Sequence, residues 1–121
     1  ERVHEIGAGL REVLQEFDPH SVAIEQVFSL GRNPKTALLM AHARGAILYA
    51  VAEQGVSLTH YTPRQIKKLL TGSGAASKQQ VQRAVTRELR LTALPEPNDV
   101  ADACAVALCH LHSKRTIPAA G

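Results

Sequence analysis

The sequence predicts an α/β domain, and three observations lead there. Short β-branched segments alternate with amphipathic or apolar stretches of helical length, the pattern of strands joined by helices. Hydrophobic residues make up 45% of the 121 and charged residues 21%, the balance of a chain that buries a core. Helix boundaries are marked by residue type, with Asn33-Pro34, Thr62-Pro63 and Ser77 at starts and Asp18-Pro19 and Gly55 at stops. A chain of 121 residues fills one domain, read as residues 1–115, with 116–121 as a flexible tail.

The elements follow in order. Val3, Ile6, Leu10, Val13, Leu14 and Phe17 recur at helical spacing, and Asp18-Pro19 ends that helix. Ser21 to Phe28 is short, β-branched and apolar on both faces, as a buried parallel strand is. After a loop over 29–33, Asn33 caps and Pro34 opens a helix to about Gln54, closed by Gly55. Its sequence is apolar almost all round, so it is expected to be covered on more than one side, the second cover being a partner subunit. Val56 to Tyr61 alternates as a second strand. Thr62-Pro63 starts a short basic helix to Leu70, and Thr71 to Gly74 is a turn. Ser77 opens a second basic helix to about Leu91. Pro95-Glu96-Pro97 is a rigid break, and Asn98 caps a last helix to about His112. Two strands form a marginal sheet by themselves, so further strands are expected upstream of Glu1.

Several classes of protein are excluded. His42, Arg44 and Glu53 interrupt the longest apolar stretch, so no segment reads as a membrane span. The first residues, Glu-Arg-Val-His, do not resemble a secretory leader. Cys104 and Cys109, five apart on one helix, point roughly 140° away from each other and cannot bridge. Two unpaired thiols suggest a reducing cytoplasm. Together with His110 and His112 they do not converge as zinc ligands from a single helix.

The charge is placed unevenly. The chain carries +3 overall, with a pI near 9.1. Between Thr62 and Thr92 stand Arg64, Lys67, Lys68, Lys78, Arg83, Arg87 and Arg90 against the single acid Glu88, a local +6. A surface facing a polyanion has this asymmetry, although a solvated helical face is the ordinary alternative.

Three acids stand out. Glu25 lies near the carboxyl end of an apolar strand, where α/β sheets gather ligands and where a carboxylate needs a partner. Asp99 and Asp102 share one face of the first turn of the last helix. Acids favour helix N-termini anyway, but the helix that follows is apolar and its acidic end is expected to face a cleft. Three carboxylates beside a basic patch make an oxygen-ligand site for Mg²⁺, with Mn²⁺ as a substitute, and suit phosphodiester chemistry. Gly72-Ser-Gly74 before Lys78 fails the G-x-x-x-x-G-K-[ST] pattern, yet such a turn can still hold a backbone phosphate through its amides and Lys78. No nucleophile triad is legible. Phe28, at the loop edge, is by default a core residue but could stack on an unpaired base.

Five segments in order carry a resemblance: Ala23-Ile-Glu-Gln-Val-Phe28, Ala43-Arg-Gly45, Gln65-Ile-Lys67, Thr71 to Gly74 with Lys78-Gln-Gln-Val-Gln82, and Asp99-Val-Ala-Asp-Ala103. Together they resemble RuvC-type Holliday junction resolvases over nearly the whole chain. The resemblance implies an RNase H-like fold, a mixed sheet flanked by helices, here without its leading strands. It implies a homodimer that binds four-way DNA junctions and cuts them by paired symmetrical nicks with Mg²⁺, in recombination and repair. The RuvA–RuvB branch-migration complex is the further partner implied, with no membrane involved. By this resemblance Glu25, Asp99 and Asp102 match metal-binding, catalytic carboxylates, Lys67 and Lys78 match lysines of phosphate contact and catalysis, and Phe28 matches an aromatic acting on bases at the crossover. Arg32, Arg64, Lys68 and Arg83 complete the expected DNA-binding set. The helix after Pro34 resembles one used in dimerisation. The family's Asp-x-Gly motif, which carries a first carboxylate on an opening strand, has no counterpart here, so the chain reads as truncated at its N-terminus. A junction-binding module without catalysis is therefore the alternative.

Overall fold

In a computed structural model of the chain, residues 2–26 and 33–116 are described. The elements run α1 (Arg2–Phe17), β1 (Ser21–Glu25), α2 (Pro34–Glu53), β2 (Ser57–Tyr61), α3 (Pro63–Thr71), α4 (Lys78–Glu88) and α5 (Asn98–Thr116). The described sheet is one parallel pair, β1 beside β2, with α2 as the crossover between them. Of the mixed sheet expected, the described residues contain only this parallel pair. Among them no helix is long and apolar enough to cross a membrane.

Local chemistry explains most boundaries. The Asn33 side chain accepts from the amides of Lys35 (3.1 Å) and Thr36 (3.4 Å), and Pro34 takes the first helical position of α2. That helix closes on Gly55, left-handed at φ 70°: the Gly55 amide donates to the Ala52 carbonyl (3.0 Å) and the Val56 amide to the Val51 carbonyl (3.3 Å). Helices α3 and α4 both open with a reciprocal capping box, Thr62 with Gln65 and Ser77 with Gln80.

Four expected boundaries are corrected. Strand β1 is assigned to Ser21–Glu25, and the Gln26 amide still donates to the Tyr61 carbonyl at 2.7 Å; Val27 and Phe28 lie outside the described residues. Helix α4 stops at Glu88 instead of Leu91, because Arg90 turns left-handed at φ 54°. Asn98 is the first residue of α5 rather than its cap. The same helix continues to Thr116, since no glycine or proline follows His112 until Pro118, and so takes the first residue expected of the tail.

The described residues fall into two compact units, residues 2–22 with 33–59, and residues 23–26 with 60–116. In the first, α1 packs on α2. Leu14, Ala50 and Val51 are buried, and Arg11 Nε meets Glu53 Oε1 at 2.7 Å on the surface. Leu38, Leu39, Met40 and Tyr49 stay exposed, so within this unit α2 is covered on one side only. In the second, α5 packs against α3 and α4 over a core of Tyr61, Ile66, Val85, Ala105, Val106, Leu108 and Cys109. The polar end of Tyr61 is satisfied: its hydroxyl and His110 Nδ1 lie 2.7 Å apart. Among the described residues, no buried side-chain nitrogen or oxygen lacks a hydrogen-bond partner. Cys104 and Cys109 are both free thiols.

Candidate active site

A cleft of about 250 Å³ in the second unit gathers charged side chains from four elements. Glu25 comes from the end of β1, Lys67 from α3, Lys78 from the first position of α4, and Asp102 from α5. Pro63, Ile66, Val81 and Ala105 supply the apolar lining. Each charged residue of a helix thus has an apolar neighbour three or four positions away on the same face: Pro63 for Lys67, Val81 for Lys78, Ala105 for Asp102. The helices that build the core also hold the charges over it.

Electrostatics mark Glu25 as the strained group. Burial holds its carboxyl above the ordinary value of 4.5, and the like charge of Asp102 pushes the same way. Lys67 and Lys78 act against both, favouring the ionised form. A divalent cation would relieve the repulsion between the two carboxylates and offset the desolvation of Glu25. Two carboxylates fit a hydrated Mg²⁺-type ion that keeps waters and takes phosphate oxygens, rather than a cage made of protein ligands alone.

The remaining expected site residues are distributed as follows. Asp99 is exposed on the first turn of α5 and is not among the described residues lining the cleft. Among the described residues, no group of three or more His, Cys, Asp or Glu side chains is placed to hold a metal. Spacing of three puts Asp99 and Asp102 on neighbouring turns, but only the second reaches the lining. Arg64 and Lys68 are exposed on α3. A Cβ on Gly74 would stand 2.9 Å from Arg64 Cγ, so a glycine is what lets the Arg64 side chain lie over the turn after α3. Arg83 is exposed on α4 and lines other clefts. Phe28 and Arg32 lie outside the described residues.

The turn before α4 holds a phosphate less well than its sequence suggests. Ser77 Oγ accepts from the Gln80 amide (3.2 Å), and Gln80 Oε1 accepts from the Ser77 amide (2.7 Å). These two amides are committed to the cap, which leaves Lys78 as the main anion-attracting group there.

Known proteins place the cleft in context. The sequence model described as crossover junction endodeoxyribonuclease RuvC matches residues 1–110. The chain belongs to the RuvC family. The crossover junction endodeoxyribonuclease RuvC of Rhodopirellula baltica is 50% identical over 109 residues, covering 90% of this chain and 61% of that protein. The namesake from Syntrophomonas wolfei is 46% identical over 114 residues, covering 94% of this chain and 66% of its own. The chain therefore spans about two thirds of the length of the curated RuvC proteins it matches. Among solved structures, Thermus thermophilus RuvC superposes with a TM-score of 0.87 at 40% identity, over 94% of this chain and 68% of that one. The same protein in complex with a Holliday junction substrate gives 0.88. The fold is accordingly the RNase H-like α/β fold of the RuvC proteins.

Proposed function

We propose that the intact protein is a crossover junction endodeoxyribonuclease, which binds four-way DNA junctions as a homodimer and resolves them by paired symmetrical nicks. The observation that carries this reading is the cleft in which Glu25 and Asp102 face Lys67 and Lys78. The solved T. thermophilus RuvC bound to a Holliday junction, at 40% identity, supports the substrate. Glu25 and Asp102 would hold a divalent cation, Mg²⁺ with Mn²⁺ as substitute, and Asp99, exposed one turn earlier on α5, would be the further carboxylate of the set. The chemistry such a cation would supply there is activation of a water and polarisation of the phosphodiester. Lys67 and Lys78 seat the scissile phosphate and neutralise the charge that develops on its oxygens. Their donors sit on rigid helices, one of them at a capped start, so little reorganisation is needed as that charge grows. Arg32, Arg64, Lys68 and Arg83 hold flanking phosphates, and Phe28 acts on a base at the crossover.

The exposed apolar side chains of α2 support the homodimer, since a second copy would remove Leu38, Leu39, Met40 and Tyr49 from water. Residues 1–115 serve as part of one RNase H-like domain, working in the cytoplasm beside the RuvA–RuvB branch-migration complex. A junction-binding module without catalysis is the second reading, favoured by a cleft that two carboxylates line among the described residues. The test is Mg²⁺-dependent nicking of a labelled four-way junction by the intact protein, with binding recorded in parallel. Nicking that Glu25→Gln removes, with binding kept, is the expected result. Binding without nicking in the wild type leaves the second reading, and no preference for a junction over plain duplex overturns both.

A further inference from the structure

On α4, a second basic surface stands apart from the cleft of Glu25 and Asp102. Gln79, Gln82, Arg83, Thr86 and Arg87 share one stripe of the helix, and Arg90 extends it beyond the helix end around an open groove of about 540 Å³. At 3.6 residues per turn, this stripe lies roughly 140° around α4 from Lys78 and Val81, which line the cleft. Among the described residues, no acid lines the groove. Glu88, the one acid of α4, is engaged elsewhere, with His112 Nε2 at 2.6 and 2.8 Å from its two carboxylate oxygens. Among the described residues no ion pair involves Arg83, Arg87 or Arg90, and all three are exposed.

The end of the helix adds a second observation. The Arg90 amide donates to the Arg87 carbonyl (3.1 Å) and the Leu91 amide to the Thr86 carbonyl (2.9 Å), the same closure that ends α2. In α2 the left-handed residue is Gly55, whereas here it is an arginine at φ 54°. A side chain at that position disfavours the conformation, so its presence points to a use for the guanidinium.

We infer that the α4 arginine stripe grips the phosphate backbone of a duplex arm leaving the junction, at a distance from the strand being cut. This inference rests on the resolvase reading and extends it to residues with no part in the cleft. The helical rise sets Arg83 and Arg87 about 6 Å apart along the axis, a reach suited to neighbouring phosphates on one strand. Guanidinium groups take phosphates bidentately, and the Gln79 and Gln82 amides can add neutral hydrogen bonds.

The test uses the intact protein carrying Arg87→Ala with Arg90→Gly. Both changes are compatible with the fold, alanine being a strong helix former and glycine the residue that favours a left-handed turn. Binding is measured against salt on two junctions with the same core. One has arms shorter than a helical turn of about 10 base pairs, the other arms of more than two turns. The slope of log affinity on log salt is expected to flatten by about 4 on long arms and to hold on short ones, one contact per arginine in each of the two subunits. Equal flattening on both junctions would place the contacts at the core and overturn the inference. No flattening on either would overturn it too, leaving the stripe to an acidic protein. Whether the wild type cuts the junction in Mg²⁺ is read separately, so failure of the resolvase reading is not confused with failure of this one.

Discussion

The unit built from α1 and α2 leaves Leu39 and Tyr49 each 66% exposed, whereas the unit built from α3, α4 and α5 seals Val85 and Cys109 completely. The two also differ in charge. The first spends its acids and bases on the surface, as in the pair of Arg11 and Glu53. The second brings Glu25, Asp102, Lys67 and Lys78 to one cleft. Charged groups crowded into a cleft need a support that holds its shape, because only rigid elements keep like charges such as Glu25 and Asp102 close and keep unlike ones from collapsing into pairs. The closely packed unit provides that support. The other keeps an apolar surface free, which suits association rather than chemistry.

The largest expected effect tests that division directly. In the intact protein, Glu25→Gln should lower single-turnover cleavage on the order of 10³-fold while leaving junction affinity nearly unchanged. A variant that cut normally would move the chemistry out of this cleft. Packing should separate the units next. Ile66→Ala, in the sealed core, is expected to destabilise by about 2–5 kcal/mol in urea unfolding. Leu39→Ala, on the exposed face of α2, should change stability by no more than about 0.5 kcal/mol at low protein concentration. Equal costs would erase the contrast.

The two helix ends give a finer version of the same comparison. Gly55→Ala places a side chain at φ 70° and should cost about 1 kcal/mol, while Arg90→Gly relieves the corresponding turn and should add a similar amount. An Arg90→Gly variant that lost stability would mean that the arginine serves the fold and not a ligand. The smallest effect is in the pH profile. The folded-state pKa of Glu25 lies above its unfolded value, so the folded protein binds more protons between the two, and stability falls as pH rises from 4.5 through the folded pKa. Glu25→Gln should flatten that limb of the unfolding curve, and Mg²⁺ should raise it. A profile identical in wild type and variant would show that Glu25 is not held above its ordinary range.

Much of this was legible in the residues. Caps and breakers located the starts of α2, α3 and α4 and the end of α2, because Asn33, Thr62, Ser77 and Gly55 act through local hydrogen bonds that need no tertiary context. The position of Glu25 at the end of a strand, and the basic run from Arg64 to Arg90, pointed to the cleft before any contact was known. Two features were not legible. Helical spacing makes Asp99 and Asp102 equivalent, and which one lines a cleft depends on the tilt of α5 against α3 and α4, a tertiary property. The end of α4 was misplaced because an arginine occupies a left-handed position that sequence rules reserve for glycine or asparagine.

Cys109 provides a natural clock for core opening. Fully buried at the centre of the second unit, its thiol is pushed up to about 11 by desolvation. Near neutral pH it is therefore overwhelmingly protonated and sterically shielded, so alkylating reagents can reach a thiolate only when α5 lifts from its neighbours. Cys104, half-buried on the same helix, offers an internal reference. The ratio of their labelling rates reports the free energy of opening around the cleft, with no probe added and no residue changed.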